Sequence, residues 1–510
     1  MTGPGPHTVG RWIRDRARAT PDRVAIRFAG ADTSYAELDA RSERLAAGLL
    51  RAGLRRGDRV ATLTANRPEH VEALFACAKA GLALVPLNWR LAPDELAYAI
   101  ADAEPAIVLA EAGRAATLDA TGARVHGIER EALDALAAPP PGAPAPVADD
   151  DPLLIVYTSG TTGRPKGAVL THANCFWTNL ALERTAPIDA GDAVLAVLPQ
   201  FHVGGWNVQP LLAWWVGATV VLEPAFDAGR VLDLLERERI AHMMGVPATY
   251  AMLAEHERFA TADLSHLRRA IVGGAPMPEP LLRTWAARGV AIVQGYGLTE
   301  AAPNVLCVPP EDAERRIGWA GRPYPHVHVA LRDPATGRLL GDGPGAGELV
   351  VRGPSVFAGY WRNPEATAAA FADGWLLTGD VAERDADGFY ALRGRLKELF
   401  ISGGENVYPA EVERVLAEHD AIAEAAVVGV PDPRWGEVGA AFVVAAAGRD
   451  VDARELLAFA AERLARYKVP RAVRVVADLP RTSLGKVRRE ALRDAAAAAV
   501  EVTIEEPRAG

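Results

Sequence analysis

At 510 residues the chain is long enough for two or three domains, each with a core of its own. It is 50% hydrophobic and 24% charged, an ordinary composition for a soluble globular enzyme. A net charge of −10 argues against nonspecific binding to nucleic acid. Met1–Gly10 is polar and no apolar core of a leader follows, so no secretory signal is expected. The most apolar stretch, Val208–Leu222, contains Gln209 and Gly217 and is too short and interrupted for a membrane span. Cys77, Cys175 and Cys307 are far apart and lack metal-ligand spacing, and read as free thiols in a reducing cytoplasm.

Helical and strand patterns alternate from the start. Val9–Thr20 reads as helix, Arg23–Phe28 as strand, Tyr35–Ala52 as helix, Arg59–Leu63 as strand, Pro68–Ala80 as helix and Leu82–Pro86 as strand. Such alternation implies an α/β architecture with a largely parallel sheet. Residues 139–151, rich in Pro and ending in three Asp, read as a linker, after which the α/β pattern resumes. Residues 318–360 change character. Gly- and Pro-rich turns there separate short strands such as His326–Leu331 and Gly347–Val351, the pattern of a small β-barrel-like unit. From about Arg395 two short units follow: helix Ala410–Glu418, strand Ala425–Val430, helix Ala453–Ala465 and strand Ala472–Val476. Ala495–Gly510 reads as weakly ordered, and no internal repeat is apparent.

One run dominates the chemistry. Strand signal Leu153–Val156 leads into Tyr157-Thr158-Ser159-Gly160-Thr161-Thr162-Gly163-Arg164-Pro165-Lys166-Gly167. Glycines let the backbone approach a ligand closely, and successive N–H groups form an anion nest. Lys166 adds a point charge suited to phosphate oxygens. No Gly-Lys-Ser/Thr opens a helix here, so the spacing is not Walker A, and a polar Gly-rich surface turn is the structural alternative. The lysines sharpen the argument. Only five of the 55 Lys plus Arg are Lys: Lys79, Lys166, Lys397, Lys468 and Lys486. An Arg bias supplies Arg wherever any surface cation serves, so the remaining lysines are enriched where a slim ammonium is needed. Lys79 is expected to be a solvated helix residue.

The 157–167 run resembles the phosphate loop of the adenylate-forming superfamily, which includes acyl-CoA synthetases, firefly-type luciferases and peptide-synthetase adenylation domains. Further segments match that family in order. Tyr296-Gly297-Leu298-Thr299-Glu300 resembles its second signature, in which the Tyr faces adenine and the Glu holds Mg²⁺. Gly273-Gly274-Ala275-Pro276 resembles the segment lining the adenine, with a simple strand-exit turn as the alternative. Thr378-Gly379-Asp380 resembles the ribose-binding turn, and Arg395 in Gly394–Glu398 a further nucleotide contact. Lys397 stands at the hinge, where many relatives have Asp; a hinge absorbs backbone rotation and does no chemistry. Gly403 and Gly404 resemble the turn bordering the pantetheine tunnel, and Pro431–Gly436 with Arg466-Tyr467-Lys468 resemble segments near the CoA nucleotide, which implies an acceptor channel at Lys468, with a packing role as the alternative for Trp435. Lys486, in Pro480–Lys486, resembles the adenylation lysine that bridges the substrate carboxylate and the α-phosphate. Leu198–Gly205 matches the acyl-pocket segment, with His202 as a gate between acyl group and thiol path or, alternatively, a satisfied core histidine. Val203, Trp206, Tyr250, Pro303 and Asn304 are candidate pocket walls by position, and Asn304 could hydrogen-bond a polar acyl tail.

The resemblance covers nearly the whole chain and is strongest to fatty-acyl and aryl (feruloyl-type) CoA ligases. It implies a large N-terminal domain, residues 1–396, of two doubly wound α/β lobes plus a small β-barrel-like unit. A small mobile C-terminal α+β domain, residues 397–510, carries the adenylation lysine. It implies a cytoplasmic AMP-forming acid–thiol ligase using ATP, Mg²⁺ and CoA, with Thr158, Ser159, Gly160, Thr161, Thr162, Gly163 and Lys166 around the phosphates. In that assignment Thr299 and Glu300 act with Lys486 and His202, while Gly274, Ala275, Pro276, Tyr296, Asp380 and Arg395 hold the nucleotide. Adenylation with another acceptor, activation of nitrite for diazotisation, and a noncatalytic nucleotide-binding scaffold stay open. So do the identity of the acid and the oligomeric state, a homodimer included.

Overall fold

The computed structural model describes residues 5–140, 146–158, 164–402, 405–433, 435–481 and 487–498. Two compact units emerge: residues 1–329 with 350–377, and residues 330–349 with 378–510.

The first unit is built on two large sheets. One has seven strands in the order Gly359–Tyr360, Lys166–Thr171, Pro152–Thr158, Ala83–Pro86, Arg59–Leu63, Ile107–Ala110 and Val125–Gly127. Its last five strands run parallel and its first two are antiparallel additions. The other has nine strands. Its parallel centre comprises Ile292–Gly297, Arg269–Val272, His242–Gly245, Ala193–Ala196, Thr219–Leu222 and Val24–Phe28. Antiparallel strands finish both edges, Asn304–Cys307 and Arg322–Pro323 at one end and Ala31–Ser34 at the other. The inner parallel strands Ile107–Ala110 and Ala83–Pro86 are buried along their length, as expected of strands covered on both faces.

Local chemistry explains the elements that position the site. Helix Pro68–Ala80 starts with Pro in its first turn and stops at Gly81, whose φ of 70° gives a left-handed cap. Helix Tyr35–Arg51 begins with a full capping box between Ser34 and Glu37. These two helices, with strand Arg59–Leu63, lie within a residue of the expected bounds. The Val208–Leu222 stretch folds as helix Pro210–Val216 and strand Thr219–Leu222, both packed in the interior. Among the described residues no helix is long and apolar enough to cross a membrane.

The second unit contains the C-terminal sheet. Strand Gly436–Ala445 lies at its centre, between Phe400–Ser402 and Ile422–Asp432, with Ala472–Val475 parallel to it and Glu405–Val407 beyond Phe400–Ser402. Helices Pro409–Leu416 and Ala453–Ala461 pack their apolar faces with this sheet in one cluster that includes Phe400, Val412 and Leu456. Helix Arg489–Ala498 packs on the opposite face through Leu492 and is tied by the Arg489–Glu413 ion pair. Its last turn includes residues expected to be weakly ordered. The strands expected over 318–360 are shared among three sheets. The small β-unit comprises His328–Arg332, Gly345–Arg352, Phe371–Ala372, Trp375–Arg384 and Tyr390–Arg395, extending well past residue 360.

One lysine is not where the sequence reading put it. Lys79 is buried, its ammonium donating to the Asp39 carboxylate, to the Asp39 carbonyl at 2.8 Å and to Ser42 Oγ at 3.0 Å, with Glu43 at 3.3 Å. Helix Pro68–Ala80 is buried on nearly every face, so even its last turn is interior. Burial pulls the Lys79 pKa down, opposed chiefly by Asp39.

Two further buried groups set a pH response. His70 and His172 are almost completely enclosed, and burial lowers their pKa values to about 3 and about 4. His172 Nδ1 accepts the Val9 N–H at 3.1 Å, which requires an unprotonated Nδ1. Both folded-state values lie below the ordinary histidine value, so their stabilising contribution is present above about pH 6.5 and is lost as pH falls. Unfolding free energy measured in urea should decline from pH 6.5 to about 4 by up to about 1.4 kcal/mol per pH unit per histidine. His172→Gln should flatten that slope.

Candidate active site

The two sheets bring their functional edges together through three short segments. Strands Pro152–Thr158 and Lys166–Thr171 are antiparallel neighbours, with Thr158 opposite Lys166 and Tyr157 opposite Gly167. The Gly-rich run therefore connects two paired strands. Ser159, Gly160, Thr161, Thr162 and Gly163 lie outside the described residues, but both ends of the loop are held. Thr158 Oγ1 reaches the Lys166 carbonyl at 3.4 Å, and the Tyr157 hydroxyl donates to Asp102 at 2.6 Å.

The second segment is a hairpin on the other sheet. Ile292–Gly297 runs parallel to Arg269–Val272, then pairs antiparallel with Asn304–Cys307. A Cβ on Gly297 would lie 1.6 Å from the Pro303 carbonyl oxygen, so only glycine permits this hairpin. Tyr296 is half-buried within the strand rather than beyond it. Gly274, Ala275 and Pro276 are exposed where the neighbouring strand ends, with Gly274 at φ 82°. The exits of parallel strands share one edge of the sheet, the usual place for a ligand in an open α/β fold.

The third segment supplies a residue that the sequence reading missed. The Tyr360 hydroxyl donates to Glu300 Oε1 at 2.8 Å, and Lys166 Nζ stands 5.1 Å from the centre of the Tyr360 ring. Tyr360 lies on a two-residue strand opposite Ala168, one strand from the Gly-rich hairpin. Glu300 follows Thr299 on a single helical turn, and its carbonyl accepts the Phe357 N–H at 2.9 Å. Burial, and then the Glu300 charge, push the Tyr360 pKa up, so the phenol stays a neutral donor. Gly359-Tyr360-Trp361 carries no motif that could have flagged it; only pairing with Ala168 brings its ring beside Lys166.

Glu300 suits a magnesium ion. Tyr360 takes one carboxylate oxygen, and among the described residues the other has no hydrogen-bond partner. No group of three metal-ligating side chains occurs among the described residues. Mg²⁺ normally binds through one or two carboxylates and completes its shell with water and substrate phosphates, so a single Glu fits.

The acyl-pocket candidates divide. His202 is half-buried with its ring 4.5 Å from Phe201. It leads into the short helix Gly204–Asn207, where a Cβ on Gly205 would meet the Pro199 carbonyl at 2.5 Å. Val203 is 7% exposed and Pro303 half-buried. Trp206 and Tyr250 have no exposed surface, so neither ring faces an open cavity in this conformation. The Trp206 indole donates to the Gln200 carbonyl at 2.5 Å, and the Tyr250 hydroxyl donates to the Ile271 carbonyl at 2.8 Å. Tyr250 packs edge-on against Trp285 in the core. Asn304 spends its amide on Thr178 Oγ1 at 3.1 Å and the Asn207 carbonyl at 3.3 Å.

The second unit carries its own preformed element. Asp380 is 6% exposed and pairs with Arg395 Nε at 2.6 Å, the two residues facing each other across adjacent strands. Thr378 Oγ1 donates to the Leu349 carbonyl at 2.6 Å and accepts the Asp380 N–H at 3.0 Å, and Gly379 has φ 68°. Lys397 is exposed in the turn that follows Arg395. Lys468 binds both oxygens of Glu411 at 2.7 and 2.9 Å, which makes it a structural ion pair rather than a group facing a channel. The Trp435 N–H donates to Asp432 at 2.8 Å. Gly403, Gly404 and Lys486 lie outside the described residues.

This arrangement, a glycine hairpin beside a lone carboxylate and a strand-end tyrosine, agrees with the comparisons. Residues 13–361 match the family model of AMP-binding enzymes, and residues 411–486 match that of the AMP-binding enzyme C-terminal domain. The chain belongs to the AMP-binding enzyme family. It is 45% identical to a feruloyl-CoA synthase of Amycolatopsis sp., over 94% of this chain and 97% of that one. It is 43% identical to an indoleacetate–CoA ligase of Aromatoleum aromaticum, over 95% of this chain and 97% of that one. The structure of ATP-bound MatB from Rhodopseudomonas palustris superposes with a TM-score of 0.89 at 36% identity, covering 96% of this chain and 98% of that one.

The Tyr360–Glu300 bond gives a direct prediction. Tyr360→Phe keeps the ring beside Lys166 and removes only the hydrogen bond to the carboxylate. Magnesium-dependent ATP binding, followed by calorimetry, should weaken about tenfold, the value of one charge-assisted bond. AMP binding, which does not use the leaving phosphates, should be unchanged.

Proposed function

We propose that the chain is a cytoplasmic ATP-dependent carboxylate–CoA ligase working through an acyl-adenylate. The observation that carries this reading is the grouping of Lys166, Tyr360 and Glu300 beside the Gly-rich hairpin: a cation for the departing pyrophosphate and a carboxylate that would hold its magnesium. The relatives named as CoA ligases, aligned over nearly their full length, support it. Three buried free thiols agree with a reducing compartment.

In the first half-reaction a carboxylate oxygen of the acid attacks the α-phosphorus of ATP, and the bond to the β-phosphate oxygen breaks. Thr158 through Gly163 and Lys166 hold the phosphates. Tyr296 and Gly274–Pro276 hold the adenine, and Asp380 with Arg395 the ribose. A magnesium ion at Glu300 would supply charge neutralisation on the pyrophosphate. Tyr360 keeps the Glu300 carboxylate oriented, and Thr299 adds a hydroxyl beside it. Lys486 bridges the carboxylate and the α-phosphate as charge develops. In the second half-reaction the CoA sulfur attacks the acyl carbon, its proton passes to solvent, and the carbon–oxygen bond to AMP breaks. Rotation at Lys397, the boundary between domains 1–396 and 397–510, withdraws Lys486 and presents Gly403 and Gly404 to the pantetheine. His202 gates the thiol path, with Val203 and Pro303 beside the acyl group.

Pyrophosphate release across a panel of fatty, benzoic and cinnamic acids, with and without CoA, tests the reading. Turnover that requires both acid and CoA is expected. Pyrophosphate release independent of CoA would point to another acceptor, as in the fatty acid–[acyl-carrier-protein] ligase ScoC of Streptomyces coeruleorubidus, to which the chain is 38% identical. Two variants separate the half-reactions. Lys486→Ala should lower adenylation by about 10²-fold or more, the scale of a lost charge-stabilising group, and spare thioester formation from supplied acyl-adenylate. Lys397→Pro should do the reverse. Equal loss of both halves in either variant would remove the role assigned to that lysine.

A further inference from the structure

Helix Pro93–Ala103 uses two of its faces. Leu96, Ala99, Ile100 and Ala103 follow the stripe of an amphipathic helix and are buried in one apolar cluster with Val85, Val108, Ile155 and Val169. That face fixes the helix to the seven-stranded sheet. Its last turn is held by Arg59, whose guanidinium donates to the Ala103 carbonyl at 2.9 Å and to the Glu104 carbonyl at 2.5 Å. Tyr98 and Asp102 are four residues apart and so share a second face, on which both are half-buried.

The second face meets the 157–167 run at both ends. At the first end the Tyr157 hydroxyl donates to Asp102 Oδ2 at 2.6 Å. Burial, and then Asp102, push the Tyr157 pKa up, so this phenol stays a donor. At the other end the Tyr98 hydroxyl donates to the Pro165 carbonyl at 3.2 Å, and the Arg164 guanidinium stands 5.7 Å from the centre of the Tyr98 ring. The Pro165 carbonyl belongs to the peptide that leads into Lys166, so this bond fixes the backbone from which the ammonium extends. Trp361 ties the two ends together: its indole donates to the Asp102 carbonyl at 3.2 Å, and its backbone N–H to the Gly167 carbonyl at 2.7 Å. A glycine-rich segment loses more backbone entropy on ordering than any other, so what holds its ends matters to whatever it binds.

We propose that Tyr98 and Asp102 are positioning residues for the triphosphate: they hold both ends of the 157–167 run in place before ATP arrives, and so set its affinity from outside the site. The inference rests on the reading of that run as the phosphate site, and it adds two residues that belong to none of the segments resembling the family. A site ordered in advance binds more tightly, because less order remains to be imposed on binding. The run serves the phosphates that leave as pyrophosphate, so the effect belongs to ATP and not to AMP.

The test measures the affinities of magnesium-ATP and of AMP for the full chain by calorimetry. Tyr98→Phe keeps the ring beside Arg164 and removes only the hydroxyl. ATP should bind it about threefold to tenfold more weakly, the value of one hydrogen bond, while AMP affinity stays as it was. Asp102→Ala should weaken ATP in the same selective way. Asp102→Asn, which keeps an oxygen for the Tyr157 hydroxyl, should recover most of that loss. Should Asp102→Ala fail to fold, the ratio of ATP to AMP affinity in Tyr98→Phe decides alone. A merely structural role lowers both affinities together, and that result overturns the proposal. So does an unchanged ATP affinity in Tyr98→Phe, or an Asp102→Asn protein no better than Asp102→Ala. An unaltered protein that binds neither nucleotide overturns the reading of the site itself, and this inference with it.

Discussion

The hydrogen bond from Tyr360 to Glu300 is the contact on which the site depends, because it joins the two large sheets where their functional edges meet. Tyr360 belongs to the seven-stranded sheet through Ala168, and Glu300 to the hairpin at the edge of the nine-stranded one. Lys166 stands on one sheet and the Glu300 carboxylate on the hairpin of the other. A neutral phenol between them can face both charges without adding one, and its burial keeps it neutral. The backbone bond from Phe357 to the Glu300 carbonyl ties the same turn a second time.

Close backbone approach is the other constraint. Gly297 lies against the Pro303 carbonyl and Gly205 against the Pro199 carbonyl, so both segments that flank the acyl candidates are pinned by positions where no side chain fits. Preorganisation of this kind fixes the geometry before any ligand arrives, which is where catalysis by positioning draws its effect. The C-terminal unit follows the same principle on a smaller scale. Thr378, Asp380 and Arg395 hold one another through hydrogen bonds and an ion pair within a single strand pair.

Much of the fold was legible because its signals are local. Pro68 and Gly81 bracket a helix by their own backbone preferences, and the Ser34–Glu37 capping box marks another. Strand Gly436–Ala445 was missed because both its faces are covered. Val438 to Val443 form one apolar run without alternation, a pattern shared by buried strands and buried helices. Lys79 was misjudged for a related reason. A charged residue at the end of a helix usually reaches solvent, but its fate here is set by Asp39 and Glu43 on a neighbouring helix. The argument that scarce lysines stand where an ammonium is needed does apply to it, as it does to Lys468 with Glu411.

The sequence by itself determined the family, the alternating α/β order and the positions of the glycine-rich, tyrosine–glutamate and threonine–glycine–aspartate segments. Those depend on residue type and spacing along the chain, which are local quantities. Tertiary structure alone decided that Tyr360 would meet Glu300, that Trp206 and Tyr250 would close into the core, and that Thr178, Asn179, Asn207 and Asn304 would share one buried network. The Tyr360–Glu300 and Asn304–Thr178 contacts join residues 60 and 126 positions apart. Such meetings are set by strand order and sheet packing, and no window of sequence contains them.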